Sequence, residues 1–197
     1  MREVELKAVV PDEADARARL ERAGAVRVFT GTLVDRRYDT ANRALRARDG
    51  VLRLRVQRDG AGARALVEYK GPVSILDGYK IREETGSEVA DADALDGILR
   101  AVGYEVTREV DREVAVFTVA GATVRLERYP RMDVLVEVEG DPACIEAAIT
   151  ILAIARNSFT SDALSSFVRR YEARTGARAA ICARELAGDY RFRIDDA

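Results

Sequence analysis

Charged and apolar residues alternate with period two over residues 3–7, Glu-Val-Glu-Leu-Lys. This is the pattern of a strand with one packed face and one polar face. The alternation returns along the chain. Arg53 and Arg55 oppose Leu52, Leu54 and Val56 over 51–57, and Glu68 and Lys70 oppose Val67 and Tyr69 over 65–70. Lys80, Arg82 and Glu84 share a parity over 80–89, as do Arg108 and Arg112 over 107–119. Arg125 and Glu127 do so over 123–129, and Glu137 and Glu139 oppose Val134, Val136 and Val138 over 133–139. A longer strand over 26–39 carries Asp35, Arg37 and Asp39 on one side and Tyr38 on the other. Asp59-Gly60 and Gly121 mark hairpin turns, and Gly71-Pro72 breaks a strand.

Helical spacing interrupts this pattern. A helix follows Asp12 as N-cap and runs to about residue 23, with Gly24 as its stop. Leu95, Ile98, Leu99 and Val102 predict a second helix over 91–101. Asp141 and Pro142 open a third, whose apolar side holds Ile145, Ile149, Leu152 and Ile154. A fourth spans 161–174, a short helix is expected around 179–186, and 190–194 is read as a terminal strand or an ordered arm. No flexible linker divides the chain.

Amphipathic helices need a sheet face to cover, and the valine-rich strand faces supply one. The charged faces then enclose something. Serine and threonine, common on wet sheet faces, are nearly absent from them. An α+β fold is therefore expected: a closed antiparallel β-barrel with charge inside and helices packed outside. Such a lumen is costly unless hydrated and occupied by ions or ligand.

Composition narrows the occupant. The 197 residues are 48% hydrophobic and 34% charged, enough for one domain with a real core. The net charge of −2 disfavours nucleic acid and anionic membranes as partners. No apolar run is long enough to span a bilayer. Histidine is absent, which removes the commonest general base and zinc ligand. Cys144 and Cys182 imply no disulfide framework, so a cytoplasmic setting is expected. Arginine greatly outnumbers lysine and suits bidentate grips on phosphate. Carboxylates without histidine favour Mg²⁺ or Mn²⁺. A polyphosphate with its metals would neutralise both sets at once.

These residues resemble the CYTH family, or triphosphate tunnel metalloenzymes, which includes class IV adenylate cyclases, thiamine triphosphatases and inorganic triphosphatases. Glu3, Glu5 and Lys7 match its E-x-E-x-K motif. Asp35, Tyr38 and Asp39, then Leu52-Arg53-Leu54-Arg55, Lys70-Gly71-Pro72 and Arg82-Glu83-Glu84, follow in the family's order. Arg112, Glu127, Glu137 and Glu139 complete the set. The resemblance covers residues 1–176 with about eight barrel strands, leaving 177–197 as a C-terminal extension. The wording around the first motif is nearer the class IV cyclase branch. Val110 stands where the family often has a lysine, with Arg108 on the same parity as a substitute; Arg36 and Arg37 replace small or aromatic residues.

The resemblance implies that Glu3, Glu5, Glu137 and Glu139 hold one or two divalent metals, and that Glu84 and Glu127 either join them or orient the basic residues. It implies that Lys7, Arg53, Arg55, Lys70, Arg82 and Arg112 grip phosphate oxygens. Arg125 is read as a partner of neighbouring acids, and Asp35 and Asp39 as structural. The implied activity is conversion of ATP to cyclic AMP and pyrophosphate. The alternatives are an inorganic or thiamine triphosphatase and a non-catalytic polyphosphate or nucleotide sensor. The apolar C-terminal helices and the resemblance to class IV cyclases point to a homodimer.

Overall fold

A computed structural model of the chain describes residues 2–196. Its strands are β1 (Arg2–Val9), β2 (Val26–Thr40), β3 (Val51–Asp59), β4 (Gly62–Lys70), β5 (Ser74–Leu76), β6 (Tyr79–Val89), β7 (Tyr104–Val119), β8 (Ala122–Arg128) and β9 (Leu135–Glu139). They lie in the order β1-β9-β8-β7-β2-β3-β4-β6, and β6 pairs back with β1. The result is a closed antiparallel barrel of eight strands, with the short β5 added along β6. Closure leaves the main ladder without a free edge.

Register decides which side chains meet. Asp35 lies opposite Arg55, Arg53 opposite Glu68, and Lys70 opposite Glu84. Lys7 and Arg125 both lie opposite Glu137, on either side of β9. Residues paired across a ladder share a face, so these charges all project into the barrel. Their sequence neighbours Leu6, Leu54, Val124, Leu126, Val136 and Val138 project outward and are buried.

Helices α1 (Glu13–Arg22) and α3 (Pro142–Leu152) bury those outward residues other than Leu54. Ala16 and Leu20 from α1 and Ile145, Ala148, Ile149 and Leu152 from α3 form one core with the outer faces of β1, β7, β8 and β9. Asp12 caps α1 by accepting from the Asp15 amide at 3.0 Å. Helix α2 (Ala92–Ala101) is capped the same way by Asp91 but buries no residue. Ile98 and the adjoining Val102 remain mostly exposed, so α2 covers much less sheet than its spacing suggests.

The chain's last third stops one end of the barrel. There the inner face turns apolar at Val9, Val110 and Leu135. These pack with Tyr129 against Phe167 and Val168 of α4 (Leu164–Thr175) and against Ala179 and Ile181 beyond it. The short helix is confined to α5 (Ala183–Leu186). Residues 190–194 form no strand, because a closed barrel offers no edge there; a single turn at Ile194–Asp196 follows instead.

Replacing Ile145 with alanine removes a fully buried side chain from the helix–barrel contact. Urea unfolding should show a loss of about 2–5 kcal/mol. A loss within about 0.5 kcal/mol would mean that α3 does not clamp the barrel.

Candidate functional site

The barrel encloses a cavity of about 460 Å³ lined by the charged faces of all eight strands. Its largest cluster of cations surrounds one acid. Asp35 accepts from Arg55 Nε at 2.7 Å and Nη2 at 2.8 Å, from Arg112 Nη1 at 3.0 Å and from Arg53 Nη1 at 3.3 Å. Burial opposes its ionisation, but the three guanidiniums outweigh burial and hold its carboxyl well below the usual range. Arg53 also meets Glu68 at 2.9 Å, and Arg112 donates to Glu127 at 2.7 Å. Glu127 accepts from the Tyr129 hydroxyl as well. The forks of Arg53, Arg55 and Arg112 are thereby oriented before any ligand arrives.

A second cluster lies on β1, β9 and β6. Lys7 bridges Glu5 at 2.7 Å and Glu137 at 2.6 Å, and Lys80 joins Glu5 at 2.5 Å. Arg125 pairs with the other oxygen of Glu137. Burial works against Glu137 ionising, yet Lys7 and Arg125 keep its carboxyl well below the ordinary range. Lys70 lies between Glu3, at 3.0 Å, and Glu84. Arg82 lines the cavity but donates to the carbonyls of Gly71 and Asp49, at 2.6 Å and 2.5 Å.

Among the described residues, Glu3, Glu137 and Glu139 bring carboxylate oxygens within 4.8 Å of one another, close enough that they could hold a metal ion. Burial, then the neighbouring acids, pushes the carboxyls of Glu3 and Glu139 up. Of the other acids expected with them, Glu5 is held between two lysines and Glu127 between Arg112 and Tyr129. Glu84 faces Lys70 and Glu3. All six expected basic residues line the cavity.

Three features were not assigned their roles by alternation. Asp35 is the hub of the arginines, which only its register with Arg55 reveals. Glu68 is a cavity acid, legible from its parity with Lys70. Arg108 does not substitute for a cation at Val110. Its guanidinium lies 2.7 Å from Glu185 of α5, while Val110 lines the cavity. The register of β7 with β2 is unbroken from Arg108 through Val116 and shifts next to Arg108, between Arg37 and Tyr38, so Arg108 keeps its inward parity and is taken up by Glu185. Asp39 holds the following loop by accepting from the Thr40, Leu45 and Arg46 amides.

The fold is shared with solved structures at low sequence identity. A Vibrio parahaemolyticus protein provisionally named an adenylate cyclase superposes with a TM-score of 0.73 at 19% identity, covering 85% of this chain and 97% of that one. Protein PH1819 of Pyrococcus horikoshii matches at 0.68 and 22% identity, over 82% and 94%. A Hippeastrum protein provisionally named an adenylyl cyclase, and described as having a dominant triphosphatase activity, matches at 0.60 and 17%, over 88% and 96%. No curated protein sequence matches the chain significantly. The CYTH domain profile matches residues 1–163, the whole barrel together with α1 to α3, and so the chain belongs to the CYTH family.

Proposed function

We propose that this protein is a divalent-metal-dependent enzyme that breaks a phosphoanhydride bond of a triphosphate held inside the barrel. The carrying observation is the juxtaposition, in one cavity, of oriented guanidiniums with three converging carboxylates. An all-carboxylate donor set suits Mg²⁺ or Mn²⁺. Glu3, Glu137 and Glu139 would hold the ion. A bound ion supplies Lewis-acid charge that polarises phosphoryl oxygens and the attacking hydroxyl or water.

The chain's own residues supply the rest. Lys7, Lys70, Arg53, Arg55 and Arg112 present positive charge to phosphate oxygens. Asp35, Glu68 and Glu127 aim the arginine forks, so little reorganisation is needed as charge develops on the transferring phosphorus. Lys7 and Arg125 keep Glu137 ionised at neutral pH, so an arriving cation would displace these partners and not a proton. Arg82 fastens the segments at Asp49 and Gly71 that border the cavity.

Two reactions use this grip. In cyclisation of ATP, the ribose 3′-hydroxyl attacks the α-phosphorus and pyrophosphate leaves. In hydrolysis, water attacks the terminal phosphorus and orthophosphate is released. The name of the Vibrio relative supports the first, and the activity described for the Hippeastrum relative supports the second. One observation favours hydrolysis. The apolar side chains at the stopped end are taken up by α4 and Ile181, so they are not left as a wall for a nucleobase.

Incubation with ATP, inorganic triphosphate or thiamine triphosphate, each with Mg²⁺ or Mn²⁺, should give orthophosphate from a triphosphate. Cyclic AMP with pyrophosphate would move the assignment to the cyclase, and tight metal-dependent binding without product would move it to a sensor. Glu137→Gln should lower kcat at least about a hundredfold, and should also lower the melting temperature because Lys7 and Arg125 lose their shared carboxylate; full activity in that variant would sink the carboxylate assignment.

The raised carboxyls of Glu3 and Glu139 fix a pH dependence. In the metal-free protein their ionised forms are penalised by folding, so this contribution to stability falls as pH rises through their folded values. A bound cation reverses that penalty. The melting temperature gained on adding Mg²⁺ or Mn²⁺ should therefore be large near neutral pH. It should fade on acidification, beginning above the ordinary carboxylate range, and be small in Glu139→Gln. A gain independent of both pH and Glu139 would contradict this.

A further inference from the structure

Arg37 has no role in the grip described above, yet it lines the same cavity. It projects from β2 two residues beyond the Asp35 hub, towards the end stopped by the C-terminal segment. The other inward guanidiniums of this wall each have a carboxylate partner: Arg53, Arg55 and Arg112 share Asp35. Among the described residues, no carboxylate lies within ion-pair distance of Arg37. Its Nη1 donates to the backbone carbonyl of Asp196 at 3.1 Å, and its Nε is buried without a partner. Burial, then repulsion from Arg53, pushes its pKa down to about 10. A buried cation in this state gains free energy by meeting an anion.

Asp35, the nearby carboxylate that favours the charged form of Arg37, is already shared by three guanidiniums, and the tail residue that meets Arg37 is Asp196. Its carboxylate does not reach Arg37 but accepts from Arg46 Nη1 at 2.5 Å, and its other oxygen is buried without a partner. The carbonyl and carboxylate of one residue thus sit across Arg37 and Arg46, inside the cavity lining. Two guanidiniums facing oxygens in this way resemble a phosphate site filled by the chain itself. The next residue towards the tail's anchor, Asp195, pairs outward with Arg169 of α4 and holds the turn in place.

We propose that Arg37 and Arg46 form an additional anion subsite at the stopped end of the barrel, which takes one more phosphate of a linear polyphosphate and is covered by Asp196 when that phosphate is absent. This rests on the triphosphate reading and extends it to the chain length of the substrate. Arg37 sits where the row of cations centred on Asp35 continues, so a ligand already gripped by Arg53 and Arg112 reaches it by extending its chain. Binding then exchanges the Asp196 oxygens for phosphate oxygens, and the turn at Ile194–Asp196 withdraws.

The test is calorimetric titration of the full chain with pyrophosphate, triphosphate and tetraphosphate in Mg²⁺. Arg37→Gln should weaken tetraphosphate at least about tenfold, the loss of one charge-assisted hydrogen-bonded contact, with less than about a twofold change for pyrophosphate. Asp196→Ala should tighten tetraphosphate severalfold by removing the competing carboxylate. An equal loss for all three lengths would make Arg37 a general source of field and overturn the subsite. So would no loss at all. If Arg37→Gln does not fold, Arg37→Lys and Asp196→Ala decide. Intermediate tetraphosphate affinity for the first with gain for the second supports the subsite, and wild-type behaviour in both rejects it. Failure of the wild-type protein to bind any of the three would instead remove the triphosphate reading itself.

Discussion

Charge enclosed by protein must be answered by opposite charge, and the interior of this barrel is organised by that requirement. Eight strands carry cations and carboxylates inward, where an unpaired ion costs several kcal/mol. Register makes the interior nearly self-neutral: Asp35 answers three arginines, Glu137 answers Lys7 and Arg125, and Glu5 answers two lysines. The same pairing prepares the site. Arginine forks already held by carboxylates have little freedom left to lose when phosphate oxygens arrive. Compensation is thinner around Glu3 and Glu139, whose carboxyls burial and the neighbouring acids push up.

The outside of the barrel supports this interior unevenly. α1 and α3 bury the outer faces of β1, β7, β8 and β9 in one continuous core, which anchors the strands bearing Glu3, Lys7, Glu127, Glu137 and Glu139. On the other side, α2 packs on β7 and β3, and the Tyr38 hydroxyl of β2 donates to its Asp96, but Ile98 stays exposed, so that wall depends more on its ladder hydrogen bonds and internal ion pairs. α4 and the residues after it fill one end with apolar side chains. They bring Glu185 to Arg108 and Asp196 to Arg46, so the C-terminal segment is part of the cavity's architecture.

Much of this was legible from alternation alone. Period two is a local property, and it identifies inward residues wherever a strand is regular: Glu3, Glu5 and Lys7, Arg53 and Arg55, Glu137 and Glu139 all follow it. It fails where the strand's end is filled. Val110 and Arg108 share the parity of Arg112 in an unbroken register, yet Arg108 is taken up by Glu185 and Val110 packs with Ile181, so the inward face there meets the C-terminal segment as well as the cavity. The apolar spacing of α2 was equally legible, but spacing records the capacity to pack and not the presence of a surface to pack on.

The amino-acid sequence by itself determined the strands, their charged and apolar faces, the cap that begins α1, and the absence of histidine chemistry. Each depends on residues close together in the chain. Only the tertiary structure decided which opposite charges meet. Partners such as Asp35 and Arg112, or Lys7 and Glu137, are far apart in sequence and are joined by strand order, register and closure. For the same reason the opening Glu-x-Glu-x-Lys stretch could announce a charged face. It could not show that Glu3 joins the carboxylate cluster while Glu5, two residues later, is held by lysines.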